Sequence, residues 1–352
     1  MVQKLYSFAT RVFHYIIFAF FLLAATGLAA QKSPAPYDKD YIITFEDYLT
    51  ARVYLAKKYT SFSLQADETA SLRYRPNSQV TMGINASYKA ISLSLGSGFG
   101  FLNPNKKEKG RTRSFDFQTH IYTREWVTDI YAQLYRGYYI NQGNFAGTNG
   151  NRYYVRPDIK VGLLGGSVYK LFNGQQFSYR AGFLQNEWQK KSAGSFLAGA
   201  EIYYGSIKGD SALVPGYLKP FYPQRDIERV QVFEFGPGGG YAYTAVWQEN
   251  FFATGSLTVN ADISVVKEVS AAGSDGRTTV TPNATFRAVA GYNSQEWAAT
   301  IGWVHNSTNM KGPSSDQHYS IKTGSFSITI AKRFMPGNKF KKRVDPILKQ
   351  IP

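Results

Sequence analysis

The stretch Phe251-Phe252-Ala253-Thr254-Gly255-Ser256-Leu257-Thr258-Val259-Asn260-Ala261-Asp262-Ile263 alternates in character from Ala253 onward. Ala253, Leu257, Val259 and Ile263 share one face, and Thr254, Ser256, Thr258, Asn260 and Asp262 share the other. Successive side chains of a β-strand point to opposite faces, so this period of two reads as a strand with one apolar and one polar face. The polar face decides the fold. Its side chains are mainly small and uncharged, whereas the outward face of a soluble sandwich is usually richer in Lys and Glu. Small polar groups suit a water-containing lumen, with the apolar face turned to acyl chains.

The pattern recurs from residue 48 onward. Val80, Met82, Ile84, Ala86 and Tyr88 oppose Thr81, Gly83, Asn85 and Ser87. Phe115, Phe117 and Ile121 oppose Asp116, Gln118 and His120. Phe326, Ile328, Ile330 and Phe334 oppose Ser325, Ser327, Thr329 and Arg333. Thirteen such segments can be counted. A barrel with both termini on one side of a membrane needs an even number. Treating one short segment as loop gives 12, and splitting Val230–Trp247 at Gly236-Pro237-Gly238-Gly239-Gly240 gives 14. The expected fold is therefore an all-β, transmembrane, antiparallel up-and-down β-barrel of 12 strands, with 14 as the alternative.

Composition permits this without demanding it. The 352 residues include 26 Tyr, 25 Phe and 32 Gly, which favours strands and tight turns. Mean hydropathy is only −0.30, as expected when every second residue of a strand meets lipid. The net charge is +16, but the aromatics lack the basic interleaving of a nucleic-acid surface, so no nucleic-acid partner is expected. The absence of cysteine excludes disulfides, thiolate metal sites, a cysteine nucleophile and an acylated lipoprotein cysteine.

The termini imply export. Lys4 and Arg11 precede the apolar run Val12–Ala25, broken only by His14, and Thr26-Gly27-Leu28-Ala29-Ala30-Gln31 follows. That order reads as a signal peptide over 1–30. Residues 31–47 read as a periplasmic lead-in, 48–334 as the barrel, and 335–352, with Lys339, Lys341, Lys342, Arg343 and Lys349, as a basic, poorly ordered periplasmic tail. No later run approaches the ~20 apolar residues of a spanning helix. Short turns are expected at Tyr88-Lys89, Thr123–Glu125, Asn173–Gln176, Gln248–Asn250 and Asn293–Glu296, with longer loops at 102–111, 141–157, 268–277 and 309–318. Trp126, Tyr138, Tyr139, Tyr241, Tyr243, Trp247, Trp297 and Trp303 fall near strand ends, where interfacial girdles lie. Phe334 ends the last strand with the aromatic residue that outer-membrane assembly machinery recognises, so that machinery is an expected partner.

Several phrases resemble a known family. They are Tyr74-Arg75-Pro76-Asn77, Tyr88-Lys89, Tyr135-Arg136-Gly137-Tyr138-Tyr139, Arg156-Pro157-Asp158, the run Phe177-Ser178-Tyr179-Arg180 through Gln189-Lys190-Lys191-Ser192-Ala193-Gly194-Ser195-Phe196, and Gly240-Tyr241-Ala242-Tyr243. In this order they resemble an uncharacterised outer-membrane protein family of Bacteroidetes-type bacteria, domain of unknown function 4421, over roughly residues 45–334. The resemblance implies a barrel in the outer membrane and implies no activity.

Candidate sites follow from strand parity. Asp116, Gln118 and His120 share the inward face of one strand; pairing Tyr122 with Glu125 across the turn would set Gln118 opposite Asp129. Arg180 and Glu201 are expected to face inward from neighbouring strands, and Arg287 and Arg333 to join Arg180 along a lumenal path for anions or as structural ion pairs. His120 is the one candidate base for a lipid hydrolase, a chemistry that also needs a Ser nucleophile and an orienting third group. His305 and His318 have only Asp316 nearby, so no metal is expected, and no cofactor motif is present. Lys106, Lys107, Lys109, Arg111 and Arg113 form a basic cluster suited to lipopolysaccharide phosphates or to a solvated loop tip. The expected function is a non-enzymatic envelope barrel, either a pore for small solutes or a structural barrel with a closed lumen. A surface-loop binding module for polysaccharide or a partner protein, and a membrane-embedded lipid hydrolase, are the alternatives.

Overall fold

The computed structural model of the chain describes residues 36–65, 71–88, 91–103, 108–141, 152–314 and 318–348. It divides into Tyr37–Phe334, which carries the strands, and a second unit made of the two terminal segments. Strands follow in the order β1 (Ile42–Thr44), β2 (Leu49–Gln65), β3 (Ser71–Pro76), β4 (Val80–Tyr88), β5 (Ile91–Gly98), β6 (Arg113–Tyr122), β7 (Trp126–Asn141) and β8 (Tyr153–Leu171). After the short helix α1 (Tyr179–Phe183) come β9 (Glu187–Gln189), β10 (Ala193–Lys208), β11 (Ile227–Trp247), β12 (Phe251–Ser270), β13 (Gly273–Asn293), β14 (Trp297–Lys311) and β15 (His318–Phe334).

Thirteen of these strands form one antiparallel sheet, and β1 pairs separately with β9. Ten close into a ring, β2-β3-β7-β8-β10-β11-β12-β13-β14-β15, with β15 returning to β2 from Tyr319↔Leu64 to Phe334↔Leu49. Closure gives every ring strand a neighbour on both sides, which is what a spanning sheet requires. β4 continues along β2 where β3 leaves it, β5 pairs with β4, and β6 pairs with β7. β5 and β6 each have one partner strand among the described residues, so a seam lies between them.

The expected count of 12 is not matched exactly: ten strands form the ring and three more pair beside it. β11 is not split at its glycines. Gly236 and Gly238 face inward, and a Cβ at either would overlap the Asp262 or Asn260 side chain of β12, so glycine is what keeps the strand continuous. The strand expected at Val80–Tyr88 is present as β4, and β3 precedes it across Asn77–Gln79. Residues 268–277 form no long loop, since β12 and β13 join through Ala271 and Ala272 alone. Residues 172–192 are more than a short turn: they carry α1 and β9. Within the basic tail, Asn338–Leu348 form a helix, α2. The signal-peptide reading falls on residues outside those described.

The outward face is apolar, with Leu257, Val259, Ile263, Ile301, Phe326, Ile328 and Ile330 exposed, while Thr254, Ser256, Thr258, Asn260, Asp262 and Ser264 of β12 are buried inside. Trp126, Tyr241, Tyr243, Trp247, Trp297 and Trp303 are exposed as well, but Tyr138 is not. A register shift between Arg136 and Tyr138 reverses the parity of β7, turning Tyr138 inward, where its hydroxyl donates to the Thr60 carbonyl at 2.9 Å. Gly137, at φ +90°, makes the shift possible. A Cβ there would also overlap the Arg111 carbonyl.

Gly137→Ala is accordingly expected to lower stability by about 1–3 kcal/mol, the usual size of a forced left-handed conformation. The shift of the urea unfolding midpoint in micelles measures it; an unchanged midpoint would show that the bulge is not strained by a side chain.

Candidate functional site: the polar interior of the barrel

The end of the barrel that carries the short turns is closed by a plug. Residues 37–48 and 172–192 meet there through β1 and β9, with Ile42 opposite Gln189 and Thr44 opposite Glu187. Ser178 caps α1 by accepting from the Ala181 amide at 2.9 Å, and its hydroxyl donates to Glu187. Glu187 is fully buried and holds two cations, Arg124 at 2.7 Å and Arg180 at 3.2 Å. Burial pulls the Arg124 guanidinium below its usual pKa, and Glu187 pulls against that. Arg52 on β2 donates to the Leu184 carbonyl and to Asn186 Oδ1, and Arg333 on β15 donates to the Gln185 carbonyl and to Asn293. The plug is thus tied to the rim from several sides. Phe177 and Tyr179 add buried aromatic surface worth about 2 kcal/mol per side chain.

Above the plug, Asp129 on β7 is fully buried and organises a cluster. Its Oδ2 accepts from Arg287 on β13. Its Oδ1 lies 2.5 Å from His120 Nδ1 and accepts from the Tyr122 hydroxyl at 2.9 Å. Arg287 also donates to the Tyr179 hydroxyl at 2.9 Å, joining the cluster to the plug. β7 and β13 stand opposite each other in the ring, with four strands between them either way. The Asp129–Arg287 pair therefore crosses the lumen. A second crossing links Tyr169 on β8 to Asn260 on β12 at 2.9 Å.

Further along, Glu201, Glu234 and Asp262 face one another from β10, β11 and β12. Asn283 donates to Glu234 at 3.1 Å and to Asp262 at 2.5 Å, while Glu201 Oε1, Glu234 Oε1 and Asp262 Oδ1 lack a hydrogen-bond partner among the described residues. Beyond this layer the far end is filled by an apolar cluster that includes Phe62, Leu72, Tyr74, Ile159, Ile207, Leu213 and Ile321. Leu213 belongs to the connection between β10 and β11, which folds over this end and accepts a hydrogen bond from the Tyr74 hydroxyl.

The structure rearranges several sequence expectations. Tyr122 pairs with Val127, so His120, not Gln118, stands opposite Asp129. Gln118 instead donates to Asp116 at 2.8 Å. Arg180 does not face Glu201 from a neighbouring strand; it sits on α1 and pairs with Glu187 and Glu46, because the segment expected to be a strand folds as the plug. Arg287, Arg180 and Arg333 do not line one anion path, since each is engaged separately in the contacts above. Of the basic cluster, Lys109 lies over the Tyr139 and Tyr153 rings, Arg111 and Arg113 are exposed, and Lys106 and Lys107 lie outside the described residues. Sequence reasoning passed over Glu187, Glu234 and Arg52. Glu234 was legible, since it alternates with Val230 and Val232 on the inward face of β11; Glu187 sits in a non-repeating segment and gave no signal.

Chemically, the side chains bonded to His120 are Asp129 and Tyr122, and Ser256 enters the cluster through the Tyr179 hydroxyl, which donates to it at 3.0 Å. Among the described residues no group of three His, Asp or Glu side chains is arranged to hold a metal ion. Arg287→Met should destabilise the barrel by about 3–5 kcal/mol, because it strands a buried carboxylate, and Asp129→Asn combined with it should recover part of that loss. Urea midpoints of the two single variants and the double variant test this; additive losses would deny the crossing pair.

A comparison with curated proteins returns no match. Among solved structures, the toluene transporter TodX of P. putida is 10% identical over 83% of this chain and 91% of its own, with a TM-score of 0.29. The translocator domain of the autotransporter NalP from Neisseria meningitidis is 9% identical over 91% and 96%, with a TM-score of 0.32. A FadL homologue of Pseudomonas aeruginosa is 7% identical over 81% and 90%, at 0.26. These values are too low to carry an inference about this chain. The family match is of another order: residues 36–334, the plug and the complete barrel, match the family described as Domain of unknown function (DUF4421), and the chain belongs to it.

Proposed function

We propose that the protein is a non-enzymatic barrel of the bacterial outer membrane whose lumen is closed, with a structural or binding role in the envelope in place of a diffusional pore. The Asp129–Arg287 pair across the lumen carries this reading. The plug below it and the apolar cluster above it support the same conclusion, since a solute would have to displace all three layers. The exposed apolar band and the ring closure support a membrane setting. In this reading β3 and β4 count as one interrupted wall strand, which makes twelve.

The lipid-hydrolase reading is not favoured, because His120 lies on the inward face of the barrel, away from lipid, and its partners among the described residues, Asp129 and Tyr122, include no serine nucleophile. Arg111 and Arg113, exposed at the end with the longer loops, are retained as contacts for lipopolysaccharide phosphates. Phe334, exposed at the end of β15, is retained as the feature read by the assembly machinery.

The protein is expected in the outer-membrane fraction, with unboiled and boiled samples migrating differently in gels. Planar bilayers should show no steady conductance for the wild type, and brief openings for a variant lacking residues 174–190. Steady, anion-biased current through the wild type would reverse the reading in favour of a pore.

A further inference from the structure

The wall and its interior diverge at one place. β3 bridges β2 and β7 near the loop end, where Arg75 and Pro76 pair with Tyr139 and Tyr138. The chain then breaks at Asn77–Gln79 and continues as β4, away from β7. Below that bridge the wall must be completed by β4, β5 and β6, and β5 and β6 are not paired with each other among the described residues. In hydrocarbon an open strand edge leaves main-chain donors and acceptors unsatisfied, at several kcal/mol per group.

Behind the seam lies a cavity of about 540 Å³, within the ~300–1,000 Å³ range of small-molecule pockets. Gly96 of β5 lines it on one side of the seam and Ser114 of β6 on the other. Its walls are otherwise mostly amide, hydroxyl and phenol groups, among them Asn77, Gln79, Thr81, Tyr54 and Tyr135. It contains one cation and one anion, Lys58 from β2 and Asp116 from β6, 3.2 Å apart. Asp116 is braced by Gln118 Nε2 at 2.8 Å, by Gln133 Nε2 at 3.2 Å and by the Tyr135 hydroxyl at 2.6 Å, so the position Lys58 occupies on Oδ1 is the one a ligand amine would take; the Lys58 side chain, free to turn toward a phosphate, is 40% exposed. The Ser78 hydroxyl, on the cavity wall, is buried and has no hydrogen-bond partner among the described residues. On the outer surface beside the seam, Leu95, Phe115 and Phe117 are exposed.

The geometry points to a lateral binding site: we propose that the seam admits the head group of a zwitterionic phospholipid-like amphiphile from the bilayer into this cavity, its chains remaining against Leu95, Phe115 and Phe117. The charges select the class. A fixed carboxylate beside a movable ammonium matches a head group carrying both signs, with phosphate toward Lys58 and the amine toward Asp116. A purely anionic head group would meet Asp116 with repulsion. The polar walls suit neither a bare hydrocarbon nor a lipid tail. This proposal rests on the membrane reading above but not on the lumen being closed.

The test uses the full chain reconstituted in vesicles of phosphatidylethanolamine and phosphatidylglycerol, with a trace of phosphatidylethanolamine bearing a photoreactive group on its amine-side head. After irradiation, labelled peptides are mapped by mass spectrometry. Label is expected on β2 and β4–β6. Its half-saturating lipid concentration should rise at least about tenfold in Lys58→Ala, the scale of a lost hydrogen bond to a charged group. Ser114→Trp, which fills the cavity without removing a charge, should abolish the label, and Lys322→Ala, on the outward face of β15, should leave it unchanged. Gel mobility before and after boiling reports folding of each variant, and if Lys58→Ala does not fold, Ser114→Trp decides. Label spread evenly over the outward face, label unaffected by Ser114→Trp, or equal competition by phosphatidylglycerol would each overturn the proposal while leaving the barrel in its membrane. Failure of the wild type to insert into vesicles would remove both.

Discussion

A carboxylate and a guanidinium facing each other across a narrow barrel impose an order on everything around them. Asp129 and Arg287 are both buried, and each would be too costly to hold there alone. Their pairing brings β7 and β13, opposite walls of the ring, within reach of a single salt bridge. It also draws in His120, Tyr122 and Tyr179, which use further donor and acceptor positions of the two charged groups. A wall closed on itself satisfies its main chain, but its inward polar side chains still need partners. Here many of them find those partners in one another, so the lumen fills.

The plug obeys the same requirement at the rim. Glu187, buried at the end of the barrel, is stable there because Arg124 and Arg180 neutralise it and Ser178 donates to it. Arg52 and Arg333, which point in from β2 and β15, donate to main-chain carbonyls and amide side chains of the connection between β8 and β10 and of the turn beside it. Barrel and plug are therefore one electrostatic assembly: each leaves charges that the other completes. The seam between β5 and β6 is the exception, the place where the wall leaves main-chain groups open to a partner.

Much of the wall could be read from the residues. The parity of Thr254 through Ser264, Thr81 through Ser87, and Asp116 through His120 follows from a period of two that no packing alters while the strand stays regular. Departures occurred where the backbone broke its period. At Gly137 a left-handed residue reversed the facing of Tyr138, and after Gln176 an expected strand gave way to a helical turn. The run Phe177–Arg180 looked like a strand because its aromatic and polar residues alternate; it folds as a capped helical turn because its aromatic side chains are buried in the plug.

By itself, then, the sequence determined that the chain is a closed sheet with an apolar outside and a polar inside, because that depends only on which residues alternate. It also determined which charges face inward along regular strands. The tertiary structure alone decided which of them meet. Arg287 reaches Asp129, 158 positions away, and Arg180 reaches Glu187 in place of Glu201. Pairing across a lumen depends on ring size, stagger and the path of a non-repeating connection, and none of these leaves a local pattern in the chain. That is why the walls were legible residue by residue, and the closure of the lumen and the opening at the seam were not.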